Sequence, residues 1–153
     1  MKHTRLAGLA GPMLAVMTGA FALPALAAPD AVKLYKNPSC GCCESYADYL
    51  RDNGYKVDVV PTDTVVEQVE KMGIPAEIQG CHTVVHGDYA VSGHVPVETL
   101  RAFLKQAPDA TGLTLPGMPA GSPGMGGKLD GPLGVLVVKN GSSAGKFVPT
   151  TGR

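Results

Sequence analysis

Neither charge is in excess along this chain. Thirteen Lys+Arg balance 13 Asp+Glu over 153 residues, which excludes the strongly basic footprint of a nucleic-acid binder. No segment repeats at a fixed spacing, so solenoids and propellers are excluded as well. Glycine and proline, at 20 and 13, are too frequent for a mostly helical chain, yet they lack the strict period of collagen. Cysteine is scarce, with four in all, and it is not spread out to close loops, since Cys40, Cys42 and Cys43 fall within four residues. A disulfide framework of the kind that staples small exported domains is therefore the weaker reading.

The length fits one domain. Residues 1–27 stand apart from it. Lys2 and Arg5 precede an apolar run from Leu6 to Leu26, and Ala25-Leu26-Ala27 has the small-x-small pattern of a cleavage site. Together they predict a secretory signal peptide over residues 1–27, removed to leave a single mature domain over residues 28–153. Gly8, Gly11, Pro12, Gly19 and Pro24 weaken the run as a membrane span. No stable membrane insertion is expected after cleavage, and no cysteine sits at the cleavage site to carry a lipid.

The mature chain reads as β-α-β-α-β-β-α. Val32–Tyr35 is a first strand, broken by Asn37-Pro38-Ser39. Cys43, Tyr46, Ala47 and Leu50 then follow helical spacing, and Asn53-Gly54 ends that helix. Lys56–Val60 is a second strand stopped by Pro61. Thr64 and Glu67 have capping-box spacing ahead of a stripe of Val65, Val66, Val69 and Met72. Thr83–His86 and Tyr89–Ser92 flank Gly87-Asp88 as a hairpin. Pro96 opens a third helix bearing Val97, Leu100, Phe103 and Leu104 on one face, which Pro108 ends. From Gly112 to Pro132 the chain is Gly/Pro-rich, and Leu133–Val138 with Lys146–Val148 form a closing strand pair around Asn140-Gly141. A helix that starts at a cysteine pair after the first strand predicts an α/β fold of thioredoxin-like type.

The chemistry centres on Cys40-Gly41-Cys42-Cys43. Read as Cys40-x-x-Cys43, it is a redox pair at a helix N-terminus, where the unpaired N–H groups favour thiolate. Cys42 tips the balance towards metal, because a disulfide exchanger needs one attacking and one resolving thiol, and a third invites off-pathway pairing. With Cys81, the cluster offers four soft donors, which select Cu(I), Zn or an iron–sulfur cluster. Four thiolates leave −3 around one Cu(I) and −2 around one Zn(II), whereas several bridged Cu(I) ions approach neutrality and suit a partly buried site. Cys42 and Cys43 also differ by about 100° around a helix and face one ion poorly together. The spacing is unlike the paired modules of structural zinc.

Asn37–Cys43, Gly80-Cys81-His82-Thr83, Gly93-His94-Val95-Pro96 and Gly117–Met125 resemble, in order, the CopG-type copper-resistance proteins, a thioredoxin-like CxCC family long carried as a domain of unknown function. The resemblance spans roughly residues 31–138. It implies a periplasmic copper-binding protein that cycles copper between oxidation states, with Cys40, Cys42, Cys43 and Cys81 as ligands. The implied partners are copper ions and other copper-handling proteins of the envelope. A binding protein is favoured over an enzyme, with a copper or thiol oxidoreductase left open. The alternatives are a thiol–disulfide oxidoreductase using Cys40 and Cys43, and a small zinc-stabilised interaction module.

Other donors carry less weight in sequence. His82 follows Cys81, and alternation along a strand sends neighbours to opposite faces. His86, at the hairpin end, reads as a solvated imidazole. His94 precedes the third helix, near the redox-motif edge of thioredoxin-like folds. Met118 and Met125 are thioethers suited to Cu(I) in a loop with little core to fill. Tyr35 and Tyr46 read as packing residues, and the segment from Asn140 onward carries no recognisable role.

Overall fold

The computed structural model describes residues 30–106 and 108–147. The expected signal peptide and Val148 lie outside them.

Strand β1 (Ala31–Lys36) leads into helix α1 (Gly41–Asp52) and then strand β2 (Lys56–Pro61). Helix α2 (Val65–Lys71) and a 3-10 turn (Ala76–Ile78) follow, then the hairpin β3 (His82–His86) and β4 (Tyr89–Ser92), and helix α3 (Val97–Gln106). This is the β-α-β-α-β-β-α order expected from the sequence. Strands β5 (Gly112–Thr114), β6 (Leu136–Lys139) and β7 (Ser142–Lys146) complete one seven-stranded mixed sheet, ordered β2-β1-β3-β4-β5-β6-β7. Strand β1 runs parallel to β2 and antiparallel to β3, and β4 runs parallel to β5. Both parallel pairs are joined through a helix, as a parallel connection requires.

Helices α1 and α3 share one face of the sheet. Tyr46, Ala47 and Leu50 of α1 and Val97, Leu100 and Phe103 of α3 pack with Val32, Leu34, Val84, Val91 and Leu113. Helix α2 covers the other face, where Val69 and Ile74 meet Ala90 and Val138. Alternation along β4 separates the two layers, since Val91 belongs to one cluster and Ala90 to the other.

Four expectations need correction. The stretch from Gly112 is not all loop, because Gly112–Thr114 is a buried strand between β4 and β6. The closing pair is shifted: pairing runs through Ser142–Lys146, set by Asn140 and Gly141, both at positive φ (51° and 71°) as a tight hairpin of this hand requires. Thr64 makes no capping bond; its hydroxyl lies 3.0 Å from that of Thr62 and accepts from Gln68. Of the expected stripe on α2, Val66 is 47% exposed, because a seven-residue helix has room for one buried row only.

Candidate metal centre

The site lies at the end of β1 and β3, under the first turn of α1. Cys40 occupies the N-cap of α1, with extended backbone, and donates its N–H to the Asn37 carbonyl at 3.0 Å. Cys42 is partly exposed, whereas Cys43 is wholly buried on the face that carries Tyr46, Ala47 and Leu50. Cys81 comes from the bend just before β3, 38 residues further along. Its Sγ stands 3.5 Å from that of Cys43 and 3.9 Å from that of Cys42, which is itself 3.5 Å from the Cys40 Sγ. The four expected sulfurs therefore converge, all within 4.8 Å of one another. Cys40 and Cys43 are joined by a disulfide, and Cys42 and Cys81 are free thiols.

Backbone packing presses Cys81 into place. A Cβ at Gly80 would sit 2.3 Å from the Cα of Gly93, and one at Gly93 would sit 2.3 Å from the carbonyl oxygen of Leu115. Only glycine permits three segments to approach so closely, and Gly93 at φ +79° also needs its conformational freedom. The Gly80 N–H donates to Ser92 Oγ at 2.9 Å, and the Gly117 N–H donates to the Gln79 carbonyl at 3.3 Å.

Two imidazoles complete the cluster. His94 Nε2 lies 3.1 Å from Cys81 Sγ, and His94 Nδ1 is 2.7 Å from the Pro123 carbonyl oxygen. A carbonyl only accepts, so the ring proton sits on Nδ1 and Nε2 presents a lone pair to the sulfur. His82 Nδ1 lies 3.5 Å from the same sulfur. The opposite-face expectation for His82 fails because Cys81 precedes the strand, where alternation does not yet apply. Tyr46 packs on both rings, with centroids 4.5 Å from His82 and 5.3 Å from His94, and donates its hydroxyl to the Val95 carbonyl at 2.7 Å.

Burial sets the protonation. It lowers His82 to about 3, assisted by His94, and it lowers His94 against the opposing pull of the Pro123 carbonyl. Both rings are neutral near pH 7 and available as ligands. Burial, reinforced by Cys42, pushes the Cys81 thiol up to about 12. In the metal-free, disulfide-bonded state Cys81 is thus a protonated thiol that a cation would have to deprotonate.

The long loop closes over the site. Pro123 carries the carbonyl on His94, and Gly124 lies so close to α1 that a Cβ there would meet Tyr46 N at 2.7 Å. Met125 is partly buried; Met118 is 55% exposed. An isolated parallel bridge pairs Gly80, the residue before Cys81, with Gly117, the residue before Met118. His86 is not a solvated imidazole: it is half-buried, edge-on to Tyr55, with Nε2 4.0 Å from Asp30. It sits at the far end of β3 and takes no part in the site.

The sequence reading missed Lys36. This lysine is 2% exposed, and its ammonium meets Glu44 Oε1 at 2.9 Å and the Pro38 carbonyl at 3.2 Å. It ties the end of β1 to the first turn of α1, the turn that carries the cysteines. The signal was present in the alternation of β1, which sends Val32, Leu34 and Lys36 to one face.

The family described as "Protein of unknown function, DUF411" matches residues 78–125, which hold Cys81, His82, His94, Met118 and Met125. Two solved structures are similar over 78% of this chain at 29% identity: "Copper resistance protein copG- Form 1", covered to 98% with a TM-score of 0.68, and "Copper resistance protein copG- Form 2", covered to 99% with a TM-score of 0.69. Comparison with curated proteins gives no match. The resemblance carried by the four motifs is borne out, and so is the α/β fold.

Proposed function

We propose that this chain, a member of the CopG-type copper-resistance family, is an exported copper-binding protein that holds several Cu(I) ions on Cys40, Cys42, Cys43 and Cys81 in its reduced state. The observation that carries the reading is the convergence of Cys81 onto the CxCC turn, with its sulfur 3.5 Å and 3.9 Å from those of Cys43 and Cys42. A disulfide exchanger has no use for a fourth sulfur brought in from another segment, whereas a soft-metal site requires it. The β2-β1-β3-β4 half of the sheet, with α1 starting at the motif, supports a thioredoxin-like scaffold adapted to metal.

Exchange with a dithiol donor, which is itself oxidised to a disulfide, opens the Cys40–Cys43 bond and supplies two of the four thiolates, so loading is coupled to redox state. The partners proposed are the copper-handling proteins of the envelope. Anaerobic titration of the fully reduced chain with Cu(I) tests the reading. More than one ion bound per chain is expected; uptake no greater than that of a chain lacking all four cysteines overturns it.

A second reading, a thiol–disulfide oxidoreductase, draws on the Cys40–Cys43 disulfide itself. Insulin reduction by the metal-free chain separates the two, and turnover at the level of a thioredoxin would favour this second reading.

A further inference from the structure

We infer that Lys36 governs how readily the Cys40–Cys43 bond opens: its buried ammonium supplies the positive charge that stabilises the sulfur anions formed there, and it is not itself a ligand. The inference rests on the copper reading above, in which that bond opens before loading, and it names what regulates the opening. A lysine is out of place in this row. Alternation sends Val32, Leu34 and Lys36 to the face of β1 that α1 covers, where Val32 and Leu34 pack with Tyr46, Ala47 and Leu50. Strand β1 ends where α1 begins. Both rows, followed towards the site, therefore bring Lys36, 2% exposed, into the layer that holds the fully buried Cys43. An ammonium loses its hydration there, and an apolar side chain of similar volume commonly serves stability as well or better. What the charge adds is not stability.

Two bonds fix the ammonium across the cysteine turn. It donates to the Pro38 carbonyl at 3.2 Å, ahead of Cys40, and meets Glu44 Oε1 at 2.9 Å, just after Cys43. The ion pair is lopsided, with the Lys36 side chain 2% exposed and that of Glu44 53%. Water screens the anion and leaves the field of the cation to act inward. The N-terminus of α1 adds positive potential at the same turn. In exchange with a dithiol donor, the donor's first thiolate attacks Cys40, the less buried of the two sulfurs. A donor–Cys40 bond forms, the Cys40–Cys43 bond breaks, and Cys43 leaves as an anion. The second donor thiolate then attacks the donor's own sulfur in the mixed disulfide, expels Cys40 as another anion and closes the donor's disulfide. Two electrons pass from donor to chain, and the two donor protons go to solvent. A sulfur leaves more readily where its anion is stable, and the anion formed inside the core shares its layer with Lys36.

The experiment equilibrates the metal-free chain with reduced and oxidised dithiothreitol at fixed pH, then traps thiols by alkylation and reads the Cys40–Cys43 bond by peptide mass. Lys36→Met keeps the volume and removes the charge, and it strands no buried anion because Glu44 is largely in solvent. It should lower the equilibrium constant for reduction by about threefold or more. Glu44→Gln should raise that constant, since the same ammonium is then uncompensated. A purely structural tie would be broken by either change and would shift both variants in one direction. Should Lys36→Met not fold, the sign of the Glu44→Gln shift decides alone. A smaller fall in folded Lys36→Met, or a constant unchanged or lowered in Glu44→Gln, overturns the inference. Cu(I) titration of the reduced wild-type chain separates the two ideas. Normal uptake there with an unmoved disulfide equilibrium overturns the role of Lys36 alone, and absent Cu(I) uptake overturns the function proposed above.

Discussion

At the residue scale, Cys42 separates the readings. It is superfluous to a Cys40–Cys43 exchanger, yet its sulfur stands between those of Cys40 and Cys81, at 3.5 Å and 3.9 Å. In a polynuclear Cu(I) site a bridging sulfur holds more than one ion. Cys42→Ser in the reduced chain should therefore lower the number of Cu(I) ions bound per chain, not only the affinity, with folding retained. Unchanged stoichiometry by elemental analysis, with thiol exchange intact, would count against the cluster. Gly93 offers a structural counterpart. Gly93→Ala forces a side chain onto the Leu115 carbonyl at φ +79°, and backbone strain of this kind costs about 1–3 kcal/mol before any clash is counted. Urea denaturation should show at least that loss. The CxCC trio was legible from spacing alone, and Cys81 from the shortage of other sulfurs. His82 was not, because Cys81 lies one residue before β3 begins, where period-2 alternation does not hold.

At the scale of elements, α1 was the most legible. Its buried residues Cys43, Tyr46, Ala47 and Leu50 are those that helical spacing selects, and the stop at Asn53-Gly54 is local chemistry. Strand β5 was not legible. Three residues give no period to read, and Leu113 and Thr114 are both fully buried, so no polar face marks the strand. The Gly/Pro loop was legible as a loop but not as a lid, since the bond from His94 to Pro123 spans 29 residues. Its methionines can be tested together. Met118→Leu with Met125→Leu keeps volume and removes both thioethers. Slower Cu(I) uptake from a competing chelator is expected, with a melting temperature changed by little, because Met118 is exposed and Met125 only partly buried. A large fall in melting temperature with unaltered uptake would make them packing residues instead.

At the scale of the whole molecule, what escaped the sequence is non-local. No local pattern announces that β5 joins β4 in parallel while β6 returns antiparallel to extend the sheet to seven strands. That extension matters to the site, because the segment leaving β5 carries the Leu115 carbonyl against Gly93 and then Gly117 against Gly80. Stability and site are consequently linked, and pH exposes the link. His82 is held neutral by burial, lowered to about 3 in the folded chain, and an unfolded histidine titrates near about 6.5. Below that value the unfolded chain takes up a proton that the folded chain refuses, so stability falls as pH falls from about 6.5 towards 3 and is level above it. His94, lowered in the same direction, adds to the slope. Each fully effective histidine contributes up to about 1.4 kcal/mol per pH unit within the window. Urea denaturation of the metal-free, disulfide-bonded chain between pH 7.5 and 5 reads this above the main carboxylate range, and stability should decline below about pH 6.5. His94→Gln should make the decline shallower. A level profile down to pH 5 would mean that the two rings are not held neutral, and the geometry argued for the centre would be wrong.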